Sequence, residues 1–75
     1  MPNRVSRSFG SILRQHRAER GWSQQLLSLK SKVDRSYISQ IESGIHTPTI
    51  TVLWRLARAL DVAPSKLIVR LERML

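Results

Sequence analysis

The sequence contains no cysteine, three glycines, three prolines and four aromatic residues (two Trp, one Tyr, one Phe). Without cysteine there is no disulfide scaffold and no zinc finger that uses thiolates. Two histidines, His16 and His46, do not make a metal cage, so no metal or other cofactor is expected. No apolar run approaches the roughly 18 residues of a membrane span. Residues Met1 to Arg7 lack a hydrophobic signal core, which leads to the expectation of a cytoplasmic protein with neither a membrane partner nor a small-molecule ligand. Val, Ile and Thr nowhere alternate with polar residues over a strand length, so no sheet is expected. Acidic residues are few, five against 13 Lys and Arg. They are scattered and form no general acid–base pair, so the chain does not read as an enzyme.

What is present is a 75-residue chain with 41% apolar residues and a net charge of +8. That apolar share is too high for a chain disordered by composition. The length suits one small domain, residues 1–75, which buries only about 60% of its unfolded surface and is marginal unless it pairs with something. Ten of the 13 cations are Arg, the side chain suited to bidentate contact with phosphates and guanine edges. The charge therefore points to a polyanion, the alternative being a surface that is basic for solubility.

Apolar spacing divides the chain into five short helices. The first runs from about Val5 or Ser6 to Arg20, with Val5, Phe9, Ile12, Leu13 and His16 on one face, and Gly21 ends it. Ser23 caps a second, Gln24 to Ser31, with Leu27 inward. Asp34 caps a third, Arg35 to Ser43, with Tyr37, Ile38 and Ile41 inward and Gly44 closing it. Thr49 caps a fourth, Ile50 to Leu60, with Leu53, Leu56, Ala57 and Leu60 on one face. Pro64 opens a fifth, Pro64 to Met74, with Leu67, Ile68, Leu71 and Leu75 as its stripe. About three residues, Lys32 to Asp34, separate helices two and three. So short a link suits two helices that cross steeply, a helix-turn-helix.

Three motifs stand in order: R-x-x-x-G-x-S-Q from Arg17, D-R-S-Y-I-S-x-I-E-x-G from Asp34, and P-T-x-x-x-L-x-x-L-A-x-A-L from Pro48. Together they resemble the repressor-type helix-turn-helix family of phage repressors and Xre-like regulators. The stretch KSKVDRSYISQIESG is especially similar to the controller proteins of restriction-modification systems. The resemblance spans about Phe9 to Leu67. It implies an all-α, five-helix DNA-binding domain whose third helix enters the major groove. Arg35, Ser36, Ser39 and Gln40 are then the candidates for base contact, Arg35 toward guanine and Gln40 toward adenine. Ser23, Gln24, Lys32, Tyr37, Ser43, His46 and Thr47 are candidates for the sugar-phosphate backbone, with Gln24 at a helix start that favours anions. Arg17 and Glu42 match a family ion pair that fixes the recognition helix to the bundle. His16 reads as a core-edge histidine with one satisfied nitrogen.

The sequence departs from the family at Lys32 and Asp61, where Gly is usual, at Ser28, usually Ala, and at Ala63, usually a Ser cap. Lys32 in a left-handed turn costs about 1 kcal/mol, and the Ser28 hydroxyl is expected to bond back to the preceding turn. Leu26, Leu29 and Trp54 look surplus to a monomer core, and exposed apolar residues of this size mark partner surfaces. A symmetric homodimer through the fourth and fifth helices, using Trp54, Ile68, Leu71, Met74 and Leu75, accounts for them.

The expected function is a sequence-specific regulator of transcription that binds a near-palindromic operator in double-stranded DNA as a dimer. The controller-protein likeness implies autoregulation of a restriction-modification operon. Phage repressor, antitoxin, and an interaction module that has lost DNA readout stay open, as does activation against repression. Glu42 or another exposed acid is the candidate contact to RNA polymerase.

Overall fold

A computed structural model of the chain describes residues 3–75; Met1 and Pro2, counted above in the N-terminal segment, lie outside the described residues. Its elements are α1 (Arg4–Glu19), α2 (Gln24–Ser31), α3 (Arg35–Glu42), α4 (Ile50–Ala59) and α5 (Pro64–Met74), an all-α architecture with no strand among the described residues. Helix α1 packs on α3 and α5, α2 packs on α3 and α4, and α4 packs on α5.

The start of α1 lies one or two residues earlier than its apolar spacing suggests, because Asn3 caps it. The Asn3 side chain accepts from the Ser6 N–H at 2.9 Å, and the Ser6 hydroxyl accepts from the Asn3 N–H at 3.0 Å, a reciprocal box that satisfies two orphan donors. The register also moves. Ser6 is buried and Val5 is 40% exposed, since the Ser6 hydroxyl lies 2.9 Å from the carbonyl of Gly44, at the far end of α3.

The helix ends follow backbone chemistry closely. After α1, Gly21 takes φ +68°. Its N–H donates to Ala18 O, and the Trp22 N–H donates to Arg17 O, so two last-turn carbonyls are satisfied. The same pattern closes α4 with Asp61 at φ +58°, its N–H on Arg58 O and that of Val62 on Ala57 O. Lys32 also takes a left-handed φ, +59°. Two hydroxyls brace that turn. Ser28 Oγ donates forward to Val33 O at 2.6 Å, not back into α2 as its helical position suggests, and Ser31 Oγ accepts the Val33 N–H at 3.2 Å.

The core comprises Phe9, Ile12 and Leu13 from α1, Leu27, Val33, Ile38 and Ile41 around the turn, Leu53, Leu56, Ala57 and Leu60 from α4, and Leu67 from α5. Helix α5 sinks less of its stripe than expected. Leu67 is buried and Leu71 is half-buried, while Ile68 and Leu75 stay exposed. Polar contacts help hold α5 to α1: Arg70 donates to His16 Nε2 at 2.9 Å and to Gln15 Oε1. His16 Nδ1 is buried with no partner. Burial, and then the charge of Arg70, push His16 below its usual range; Arg20 and Lys66 add to this and Glu19 opposes it.

Gly10 sets how closely α1 meets α3. A Cβ there would fall 2.3 Å from the carbonyl oxygen of Ile41 and 2.8 Å from that of Glu42, and backbone cannot rotate away as a side chain does. Gly10→Ala should therefore destabilise the fold by about 1–3 kcal/mol or more, measured by urea unfolding. Gly21 has open space around it, so Gly21→Ala should cost only the left-handed backbone strain, about 1 kcal/mol. A second outcome concerns acid. Because folding lowers the affinity of His16 for a proton, its contribution is complete above about pH 6.5, the unfolded value, and is lost as pH falls toward the lower folded value. Stability measured from pH 7.5 to 5 should fall in the wild type and fall less in His16→Gln.

Candidate nucleic-acid interface

The geometry of the α2–turn–α3 unit is organised around one carboxylate. The side chain of Glu42, at the last turn of α3, is 0% exposed. Arg17 of α1 grips it with two donors, Nε to Oε2 at 2.7 Å and Nη2 to Oε1 at 2.8 Å. The remaining Arg17 nitrogen donates to Trp22 O at 2.8 Å. Gln24, the first residue of α2, donates its amide to Oε1 at 3.1 Å, and Arg14 stands 3.6 Å away at the solvent edge. Three helices thus converge on two oxygen atoms. Burial pushes the Glu42 carboxyl up, but hydrogen bonds from Arg17 and Gln24, with the charges of Arg17 and Arg14, outweigh it and leave it below the usual carboxylate value. Arg17 is correspondingly raised, chiefly by the hydrogen bond to Glu42.

This burial removes Glu42 from the exposed face on which a polymerase contact was expected. It also gives Gln24 a second task. One of its two amide hydrogens is on Glu42, which leaves the other for a ligand. The Ser23 hydroxyl accepts the Leu26 N–H at 3.0 Å, so it caps α2, while the first-turn N–H groups of the helix have no intrahelical partner.

With its inner side pinned, α3 turns its other side to solvent. Arg35, Ser36 and Gln40 are exposed and Ser39 is half-buried; their spacing places all four on adjacent positions of one helical face. Ser43 continues the line, its hydroxyl donating to Gln40 O. Beside them Tyr37 packs its ring against the core and meets His46 edge-to-face, with centroids 6.1 Å apart. His46 and Thr47 are exposed on the loop that follows. Lys32 stands elsewhere: it lines a groove between α2 and α4 with Lys30, Trp54, Arg55 and Arg58.

Asp34 does not cap α3. Its side chain makes no cap bond; the carboxylate instead accepts from the hydroxyl of Ser36, and the backbone carbonyl takes the Ile38 N–H. Arg20, unmarked in the sequence, donates to Leu60 O at 2.6 Å and so ties α1 to the end of α4. The signal for it was weak, since a basic residue at a helix end is common. Lys30 lies over the Trp22 ring at 5.0 Å, a cation–π contact with the same low sequence visibility.

A second surface lies on α4 and α5. Trp54 is 53% exposed, and Ile68, Met74 and Leu75 are exposed with it. Ile50 and Val69, not singled out from sequence, join them: Ile50, Leu53, Trp54, Pro64, Ile68 and Val69 line an apolar groove of about 430 Å³. Leu26 is half-buried and Leu29 is 71% exposed. Among the described residues no group of three or more His, Asp or Glu could hold a metal, and no helix is long and apolar enough to cross a membrane.

The family model described as helix-turn-helix matches residues 13–67. The chain is 34% identical over 64 residues to the HTH-type transcriptional regulator SutR of Escherichia coli, covering 85% of this chain and 36% of that protein. It thus spans little more than a third of that relative's length. Among solved structures it resembles the restriction-modification controller protein C.AhdI from Aeromonas hydrophila, with 37% identity, TM-score 0.80, 83% of this chain and 94% of that one. It also resembles the controller protein C.Esp1396I, solved as a tetramer with its natural 35 base-pair operator, with 28% identity, TM-score 0.83, and 93% and 92% of the two chains.

The buried carboxylate yields a direct outcome. Glu42→Gln should leave Arg17 without a counter-charge and cost about 3–5 kcal/mol, read by chemical unfolding at pH 7. In the wild type the Glu42 contribution is present above about pH 4.5 and lost as pH falls through its lower folded value. The variant should lack that acid step.

Proposed function

Because the chain belongs to the helix-turn-helix family, we propose that it is a sequence-specific, double-stranded DNA-binding regulator of transcription. The observation that carries this reading is the exposed row Arg35, Ser36, Ser39 and Gln40 on a helix whose opposite side packs Ile38 and Ile41 into the core and whose last turn is anchored by Glu42. A rigid helix with polar side chains on its outer face is what base readout in the major groove requires. Arg35 offers two donors to guanine, and Gln40 offers a donor and an acceptor to adenine. Ser23, Gln24, Tyr37, Ser43, His46 and Thr47 flank the row and serve as contacts to the sugar-phosphate backbone. Lys32 adds its charge from the side of the turn.

The protein acts as a homodimer through α4 and α5. Support comes from the exposed Trp54, Ile68, Met74 and Leu75, from half-buried Leu71, and from the groove that Trp54 and Ile68 line. A dimer would bury this apolar surface and place two reading helices on half-sites about 34 Å apart. Dimerisation coupled to operator binding makes occupancy a steep function of the protein's own concentration. The likeness to two controller proteins, one seen on its operator, favours autoregulation of a restriction-modification operon.

Selection from a random duplex pool, followed by sequencing, should return a two-fold-related site, and sedimentation of the free protein should show a dimer. Binding should weaken linearly with log salt, by about 0.9 in log K per phosphate contacted. Arg35→Ala should cost about 1–3 kcal/mol and relax the preference at one base position. Equal weakening on all sequences would show that Arg35 does not read a base.

A further inference from the structure

The carboxylate of Asp34 makes no bond to the backbone of α3 and none to another helix among the described residues. An Asp at the start of a helix ordinarily accepts a first-turn N–H, but this one makes no cap bond. No ion pair holds it, since both salt bridges among the described residues involve Glu42. Its side-chain partner is Ser36, whose hydroxyl donates to Oδ2. Asp34 and Ser36 are both exposed, on either side of Arg35.

This pairing fixes hydrogen-bond polarity. A serine hydroxyl has one proton and two lone pairs, and a carboxylate has lone pairs alone. Ser36 commits its proton to Asp34. The pair therefore presents acceptors outward, beside the donors of Arg35. In the major groove the donors are the amino groups of cytosine and adenine, whereas guanine O6 and N7 and thymine O4 accept.

We propose that Asp34 is a specificity-determining residue: with Ser36 it forms an acceptor pair that selects a cytosine or adenine amino group next to the base read by Arg35, and rejects guanine or thymine there. The inference rests on α3 being the reading helix. Rejection is part of the mechanism, because a carboxylate facing a carbonyl oxygen leaves two acceptors opposed and unpaired. Its negative charge near phosphates also weakens binding to every sequence, so the residue trades affinity for discrimination.

The test uses the full chain and its selected operator. In the wild type, the base pair beside the Arg35-dependent position should carry cytosine or adenine on the facing strand, preferred by roughly fivefold to tenfold or more. Asp34→Ala and Ser36→Ala should each erase that preference while leaving the Arg35-dependent one. Asp34→Ala should bind non-operator DNA as well as the wild type or better. Helix content by circular dichroism confirms folding. A change on the DNA side needs no variant: purine for adenine, or 2-pyrimidinone for cytosine, removes the amino group alone. It should weaken the wild type and leave Asp34→Ala unaffected. Retention of the wild-type preference by Asp34→Ala overturns the proposal, and so does equal sensitivity of both proteins to the base analogue. If the wild type instead binds all duplexes alike, the reading of α3 falls together with it.

Discussion

The ion pair between Glu42 and Arg17 is the constraint on which the rest of this structure depends. A chain this small has little core, yet it buries a carboxylate completely and spends two helices' worth of donors on it. Such an arrangement is no efficient source of stability, because the desolvation cost of a buried pair roughly cancels its attraction. Its effect is geometric. The bidentate fork of Arg17 fixes the last turn of α3, Gln24 fixes the start of α2, and the third Arg17 donor holds the chain between α1 and α2 at Trp22. Gly10 lets α1 come close enough for this to happen. The outer face of α3 is then positioned by bonds made on other parts of the helix.

The same economy shows in the turns. Lys32 and Asp61 occupy left-handed positions that glycine would fill without strain. At Lys32, the hydroxyls of Ser28 and Ser31 absorb the backbone groups that the tight turn leaves unpaired. Arg20 and Arg70 do the corresponding work on the other side, clamping α4 and α5 to α1 through a carbonyl and a neutral imidazole. Several of the ten arginines are thus structural, and the charge directed at an anion is smaller than the net value suggests.

Much of this was legible in the residues. The five helices follow from apolar spacing and from caps such as Ser23 and Thr49, and their ends fall within a residue or two of the expected positions. Arg17 and Glu42 could be paired because the motif that carries them is specific. What was not legible depended on tertiary placement. Ser6 displaces Val5 from the buried face because the carbonyl of Gly44, just past the end of α3, accepts its hydroxyl. Asp34 looked like a cap because local sequence cannot show that a neighbouring hydroxyl will take its carboxylate. Gln24 looked free for a phosphate because its buried partner lies 18 residues away. Ile50 and Val69 are silent in the sequence because single apolar residues carry no signal until a groove gathers them.

On the proposed function, the outward face of α3, held by a buried ion pair, is the surface that meets DNA. Backbone-amide NMR during titration with a selected operator duplex separates this face from the rest of the molecule. The largest shift changes are expected at Arg35 to Gln40 and at the start of α2, with the core around Leu56 and Leu67 unmoved. Changes concentrated on α4 and α5, with α3 silent, would contradict it.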